Sequence, residues 1–188
     1  SDGIFVDIGI GKNAFLRRKD LLNEKRFPTE GSPILAQVIK SDTDMKGALI
    51  TEKISMFGKY AVTLSGTGYI GVSKKIRQES VRKRLKEIGK EICAEHMGLI
   101  IRTAAENADM DEFRKDITRL KENWDIIQKR FRMEKSPTLL YRESDIIVKA
   151  LRDYVNKGTE ILITDNRKIY ERICKLNESE HTIEPDKI

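Results

Sequence analysis

A chain of 188 residues, 39% hydrophobic and 35% charged, is long enough for one or two modest cores and too apolar to be disordered throughout. No apolar run reaches the length of a bilayer span, and Ser1-Asp2-Gly3 lacks the basic and apolar regions of a signal peptide, so a cytoplasmic setting is expected. The net charge is +6, and the segment Lys74 to Lys90, with eight basic residues against Glu79 and Glu87, holds the whole surplus, which permits binding to a polyanion.

Taken in chain order, residues 1 to about 72 read as short strands. Ile4 to Ile8 is apolar apart from Asp7, and Gly9, Gly11 and Asn13 supply turn chemistry before Ala14, Phe15 and Leu16, the pattern of a hairpin. Ile34 to Ile39, Ala48 to Ser55 and Lys59 to Leu64 are further strands, and Val72 with Ser73 reads as extended. Short, evenly spaced strands of this kind build a small barrel or an open sheet. The period then changes. Val81, Leu85, Ile88 and Ile92 repeat at helical spacing beneath the charges of Lys74 to Lys90, which suits a solvated helix face and a phosphate-contacting face equally well. Asp109 caps a helix carrying Phe113, Ile117, Leu120, Trp124, Ile127 and Phe131, with Glu112 placed for a capping box. Ser136 and Pro137 stop it, and Leu139 to Tyr141 reads as a strand. Ser144 starts a further helix that Gly158 ends, Glu160 to Thr164 is a strand, Arg167 to Leu176 a helix, and the tail from Asn177 is polar and loose. Strand, helix, strand after residue 138 is an α/β unit with too few strands to close a sheet.

Motifs that would carry chemistry fail on context. Gly66, Gly68 and Gly71 satisfy G-x-G-x-x-G, but no βαβ unit is expected after them, which argues against a dinucleotide site. Gly9-Ile10-Gly11-Lys12-Asn13 is too short for a phosphate-binding loop and lacks the hydroxyl after lysine that would hold magnesium. Cys93 and Cys174 stand far apart, which suits neither a disulfide framework nor a zinc site. Glu91, Cys93, Glu95 and His96 cluster at one helix end without zinc spacing and read as ordinary helix residues. His181 lies in the tail, so a catalytic triad would rest on His96 alone, and nothing near it nominates a nucleophile. Neither a catalytic residue nor a metal ligand is expected. The residues by themselves describe a soluble, mildly basic module with a strand-rich N-terminal part.

Five segments add a resemblance. Phe5-Val6-Asp7-Ile8-Gly9 with Asn13-Ala14-Phe15-Leu16, Lys46-Gly47-Ala48 through Gly58-Lys59-Tyr60-Ala61-Val62, Gly98-Leu99-Ile100-Ile101-Arg102-Thr103-Ala104, Leu139-Leu140-Tyr141-Arg142-Glu143 and Ala150-Leu151-Arg152-Asp153 follow one another in the order and spacing of the ribonuclease E/G family. The chain resembles that family over nearly its whole length. The resemblance implies an α+β chain: an OB-fold β-barrel lacking its first strand over residues 1–53, an α+β 5′-sensor domain over 54–147, and part of an RNase H-like α/β domain over 148–188. The family's nuclease aspartates and its C-x-x-C have no counterparts here, which implies a fragment that does not cut RNA alone. Magnesium for catalysis and zinc as an inter-subunit link are implied for the intact enzyme, as is a homo-oligomer, but no cofactor for this fragment.

The same resemblance assigns roles. Phe5 and Phe15 match exposed aromatics on which unpaired bases stack, and Lys46 matches a lysine that meets the RNA backbone; periodicity alone would make the phenylalanines core. Arg102 and Thr103 match the pair that holds a 5′-terminal monophosphate, and Gly58 and Val62 line the same pocket. Lys74 and Lys75 stand where the family carries a basic pair of arginines, and an ammonium meets phosphate as a point charge where a guanidinium forks. The function implied is RNA binding and 5′-monophosphate sensing within a single-strand-specific endoribonuclease that processes and degrades RNA. The competing reading is a stand-alone RNA-binding module without end sensing or catalysis.

Overall fold

The computed structural model describes residues 2–93, 97–143, 146–155 and 158–180; Glu95, His96, Ser144 and His181, named above, lie outside them. Gly9 and Gly11, at φ 79° and 83°, turn the chain where the sequence predicts a hairpin, because glycine takes this left-handed backbone without strain. Strands β1 (Gly3–Val6) and β2 (Ala14–Arg17) pair antiparallel across the turn, with Phe5 opposite Phe15. With β3 (Gln37–Lys40) and β4 (Leu49–Thr51) they form a four-stranded sheet in the order β1-β2-β4-β3, in which β4 runs parallel to β2. Among the described residues this sheet is open and does not close into the expected barrel. The alternation along β2 sends Ala14 and Leu16 into a small core with Leu21, Ala48 and Ile50 and leaves Phe15 on the other face.

A second sheet follows, built from β5 (Ser55–Phe57), β6 (Ala61–Ser65), β7 (Ile70–Val72) and β8 (Met97–Ile101) in the order β5-β6-β8-β7. Helices α1 (Glu79–Ile92) and α2 (Met110–Met133) cover one face of it, where Leu85, Ile88, Phe113, Ile117 and Leu120 join Ala61, Leu99 and Ile101 in the larger core. The predicted apolar stripes of both helices are the ones buried. The two sheets are stitched by Gln37 of β3, whose amide nitrogen donates to the Ser55 carbonyl at 2.8 Å while its oxygen accepts from the Ser55 N–H at 2.9 Å. These elements make up one compact unit, Ser1–Tyr141; the second unit, Arg142–Ile188, carries α3 (Ile146–Tyr154) and α4 (Arg167–Glu180).

Several expectations are corrected. The strand expected over Ala48 to Ser55 is two strands in different sheets: the Glu52 N–H bonds to the Asp20 carbonyl at 2.9 Å and the Lys53 N–H to Thr51 Oγ1 at 3.0 Å, so local bonding ends the ladder between them. The strand expected at Ile34 begins only at Gln37, because Ile34 and Ala36 pack against the smaller core and Leu35 against the larger. A βαβ unit does exist: β7, α1 and β8 form one, with β7 parallel to β8. The glycine motif precedes or lies within β7 and does not lead from a strand into a helix, so the fingerprint is still absent. Leu139 to Tyr141 is no strand, since the carbonyls of Leu139 and Leu140 accept from the Arg130 guanidinium. Glu160 to Thr164 is no strand either; Ile161 and Ile163 are exposed, and nothing among the described residues pairs with the segment. Helix α4 runs on to Glu180, past the expected start of the tail at Asn177.

The Asp109 cap is observed, its Oδ1 accepting from the N–H groups of Asp111 at 2.8 Å and Glu112 at 3.3 Å. Asp109→Ala should destabilise unit Ser1–Tyr141 by about 1 kcal/mol in urea unfolding, the usual worth of an N-cap.

Candidate functional site

The loop between β5 and β6 and the end of β8 meet at one edge of the second sheet. The Arg102 N–H bonds to the Tyr60 carbonyl at 2.8 Å, continuing the β6–β8 ladder by one residue, and its guanidinium Nη1 donates to the carbonyls of Gly58 at 2.9 Å and Lys59 at 3.4 Å. From the other side, the carboxylate of Asp116 on α2 accepts the N–H of Lys59 at 3.2 Å and of Tyr60 at 2.8 Å. Asp116 is only 7% exposed and also meets Arg119 at 3.2 Å. Any side chain at Gly58 would collide with it, since a Cβ there would lie 2.3 Å from Asp116 Oδ2. Gly58 is therefore fixed by space, and Arg102 is aimed by carbonyls whose own peptides are held by a buried carboxylate.

Thr103 follows Arg102 into a single 3-10 turn, Thr103–Ala105, and is exposed. Its hydroxyl lies 3.0 Å from that of Ser73, whose backbone N–H bonds to the Ile101 carbonyl at 2.8 Å. Lys74 and Lys75 are exposed in the turn that follows Ser73. That turn is held by Arg82, which donates from Nη1 to the carbonyls of Ser73 at 2.8 Å and Ile76 at 2.9 Å. The basic run is thus divided: Arg82 is structural, whereas Lys83, Arg84, Lys86 and Lys90 are exposed. Val62 lies on the sheet face away from the helices, paired with Ile100. The structure brings Gly58, Arg102 and Thr103 together at this edge, with Val62 on the adjoining face.

The other three expected contacts lie on the first sheet. Phe5 is 73% exposed and Phe15 partly so, their ring centroids 5.4 Å apart, which overturns the core placement that periodicity alone suggests. Lys46 is exposed at the turn before β4, where the Thr43 N–H bonds to the Lys46 carbonyl at 2.8 Å. Lys12 ties this turn to the β1–β2 loop through the carbonyls of Thr43 and Asp44, each at 2.9 Å.

Residues the sequence reading passed over complete the second site: Asp116, Tyr60, Glu112 and Ser73. Asp116 had a legible signal, because it falls on the face of α2 that buries Phe113 and Leu120, where a carboxylate needs partners. The Tyr60 hydroxyl donates to Glu112 Oε2 at 2.6 Å. Burial, then the bond and charge of Glu112, then the charges of Asp116 and Asp109 hold that hydroxyl protonated well above its ordinary range. Elsewhere burial pushes the Cys93 thiol up to about 11, so it is neither a thiolate nucleophile nor a ready metal ligand at neutral pH. Glu91 is engaged by Arg114 at 3.1 Å, which holds its carboxyl below the usual range.

The geometry defines a mixed α+β protein with a polar edge on one sheet and a pair of phenylalanine rings on the face of the other. A profile described as the Ribonuclease E/G family matches residues 55–188, and the chain belongs to that family. It is 33% identical over 188 aligned residues to Ribonuclease G of Escherichia coli K12, an alignment covering 91% of this chain and 38% of that protein. It is 31% identical to Ribonuclease E of Buchnera aphidicola subsp. Schizaphis graminum, covering 90% of this chain and 19% of that protein, and 31% identical to Ribonuclease G of Haemophilus influenzae, covering 90% and 38%. The chain thus spans well under half the length of these relatives. Among the described residues no helix is long and apolar enough to cross a membrane. Among the same residues no group of three or more His, Cys, Asp or Glu side chains is placed to hold a metal ion.

Asp116→Ala strips one buried and one half-buried N–H group of their acceptor and should destabilise the unit by about 2–4 kcal/mol in urea unfolding. Tyr60 has a folded pKa raised above its ordinary value near 10, so its contribution to stability is complete below that pH and is lost as pH rises beyond it. Urea stability followed from pH 8 to 11 should therefore fall in the wild type and fall less in Tyr60→Phe.

Proposed function

We propose that this chain binds single-stranded RNA and reads its 5′ end, as part of a single-strand-specific endoribonuclease that processes and degrades RNA in the cytoplasm. One observation supports this reading above the others: the Arg102 guanidinium, aimed by two backbone carbonyls, stands beside the exposed Thr103 at the end of an open sheet face. A guanidinium offers five N–H donors in a fixed fork that matches two oxygens of a terminal phosphate. The Thr103 hydroxyl reaches a third oxygen, Lys74 and Lys75 add charge from the neighbouring turn, and Gly58 and Val62 line the approach of the first nucleotide. A cradle of this size takes a monophosphate and excludes a bulkier triphosphate, which selects RNA already cleaved or processed at its 5′ end.

In this reading residues 1–53 are the OB-type RNA-binding part, 54–147 the 5′ sensor and 148–188 a portion of an RNase H-like domain. Phe5 and Phe15 stack on unpaired bases downstream, and Lys46 meets the backbone. Cleavage, magnesium, zinc and homo-oligomer contacts belong, in this reading, to the intact enzyme. The exposed Phe5 and Phe15 pair favours one alternative, a module that binds RNA through that sheet alone.

Binding of short fluorescent RNAs with a 5′ monophosphate or a 5′ hydroxyl, at one fixed salt concentration, separates the two. Wild type should prefer the monophosphate, and Arg102→Ala should remove that preference, a loss of roughly tenfold or more. Equal binding of both RNAs by wild type and variant would sink end sensing and leave the plain RNA-binding module.

A further inference from the structure

Helix α1 carries an uncompensated row of cations on its outer side. Lys83, Lys86 and Lys90 recur at spacings of three and four residues and form a ridge opposite Leu85 and Ile88, which are buried in the larger core. Neighbours on such a ridge stand roughly 5–6 Å apart. All three are exposed, as are Arg84 beside them and Arg77 in the preceding turn, and among the described residues none of these five side chains has an ion pair or a hydrogen bond. Two acids of the helix are engaged by arginines, Glu79 at 3.7 Å from Arg82 and Glu91 at 3.1 Å from Arg114, which leaves Glu87 alone among the lysines. Helix α2 is built differently: Arg119, Lys121 and Arg130 each meet a carboxylate of their own helix or its cap, Asp116, Asp125 and Glu134. The ridge also continues from the candidate phosphate edge. Ser73, whose hydroxyl lies 3.0 Å from that of Thr103, begins the turn that Arg82 ties to the first turns of α1.

We infer that this ridge is a second RNA-contact surface, which holds the phosphate backbone of a base-paired segment lying next to the single-stranded 5′ end. The inference rests on the reading of the chain as an RNA binder and not on end sensing by Arg102. The make-up of the helix selects the occupant. It contains no aromatic residue on which unpaired bases could stack, and none of its large apolar side chains is exposed for burial in a lipid surface. What it presents is a fixed row of point charges on a rigid element. Such a row meets phosphates without regard to sequence, the mode in which double-stranded RNA is recognised. A stem already holds its phosphates in order, whereas a single strand would have to be straightened along the helix, and that ordering opposes binding.

The test uses the whole 188-residue chain and two RNAs of equal length with the same unpaired, 5′-monophosphorylated leader, one ending in a hairpin stem and the other scrambled so that no stem forms. Wild type should bind the hairpin RNA more tightly. The triple variant Lys83→Gln, Lys86→Gln, Lys90→Gln keeps helix propensity, because glutamine and lysine are nearly equal in a helix. It should lose roughly tenfold on the hairpin RNA and lower the slope of log affinity against log salt by about three, one for each phosphate contact removed. Its affinity for the scrambled RNA and its preference for a 5′ monophosphate over a 5′ hydroxyl should stay as in wild type. A control triple, Lys115→Gln, Lys129→Gln, Lys135→Gln, removes the same charge from exposed positions on or just after α2 and should bind the hairpin RNA like wild type. Equal binding of the two RNAs by wild type, or equal losses by the two triples, would overturn the inference and leave only a general field of positive charge. Binding to phosphatidylserine vesicles that the α1 triple abolishes, with hairpin affinity unchanged, would overturn it as well and give the ridge to a membrane surface. Should wild type show no monophosphate preference while the α1 triple still loses stem-dependent affinity, the end-sensing reading fails and the ridge stands.

Discussion

Two consecutive peptide groups, Gly58–Lys59 and Lys59–Tyr60, lie between opposite charges. Their N–H groups point to the buried carboxylate of Asp116 and their carbonyls to the guanidinium of Arg102. Each peptide dipole is thereby aligned with the field between the two side chains, and low dielectric around Asp116 strengthens the arrangement. Much else at this edge is built around that line of charge. It leaves Gly58 no space for a side chain, ties α2 to the β5–β6 loop, and sets the direction of Arg102. An arginine at a strand end would otherwise sample many rotamers and has to be ordered by its neighbours. Here the backbone has already done much of that ordering.

Both sheets use one device to present aromatics. Each has a helix- or loop-covered face and an open face, and in each a glycine lies beneath a ring: Gly3 under the half-buried Phe15 and Gly71 under the exposed Tyr69, where an added Cβ would come within 2.7 Å of ring carbons in both cases. A ring folded down over a glycine covers backbone that would otherwise be bare and holds its own plane close to the sheet. The first sheet stands its rings side by side on neighbouring strands, whereas the second spaces them at opposite ends of a four-strand row.

Helices were legible because their stripes and caps are local. Asp109, Phe113, Ile117 and Leu120 announce α2, and Val81, Leu85 and Ile88 announce α1. Strands were legible where alternation and turn glycines coincide, as at Ala14 to Leu16. They were misread where pairing decides: Ala48 to Ser55 looks continuous until Asp20 and Thr51 supply its backbone partners, and Leu139 to Tyr141 looks extended until Arg130 takes its carbonyls. Strand β8 escaped notice as an element, although Met97 to Ile101 is an unbroken apolar run of the kind that fills a sheet interior. At the site, motif spacing reached Gly58, Val62, Arg102 and Thr103, but not Asp116, whose partners lie 56 and 57 residues away. Phe57 and Tyr69 come to opposite edges of one sheet only through strand order, which no local pattern records.

Surface loops ordinarily change length without consequence. The β1–β2 loop and the turn before β4 do not have that freedom: Lys12 holds two carbonyls of the turn, and the backbones approach so closely that a Cβ at Gly47 would lie 2.0 Å from the Asn13 carbonyl oxygen. The two segments are some thirty residues apart in the chain, yet they fit as a matched pair. Insertions and deletions tolerated in one during descent would have to be accompanied by compensating changes in the other, so their lengths should drift together or not at all.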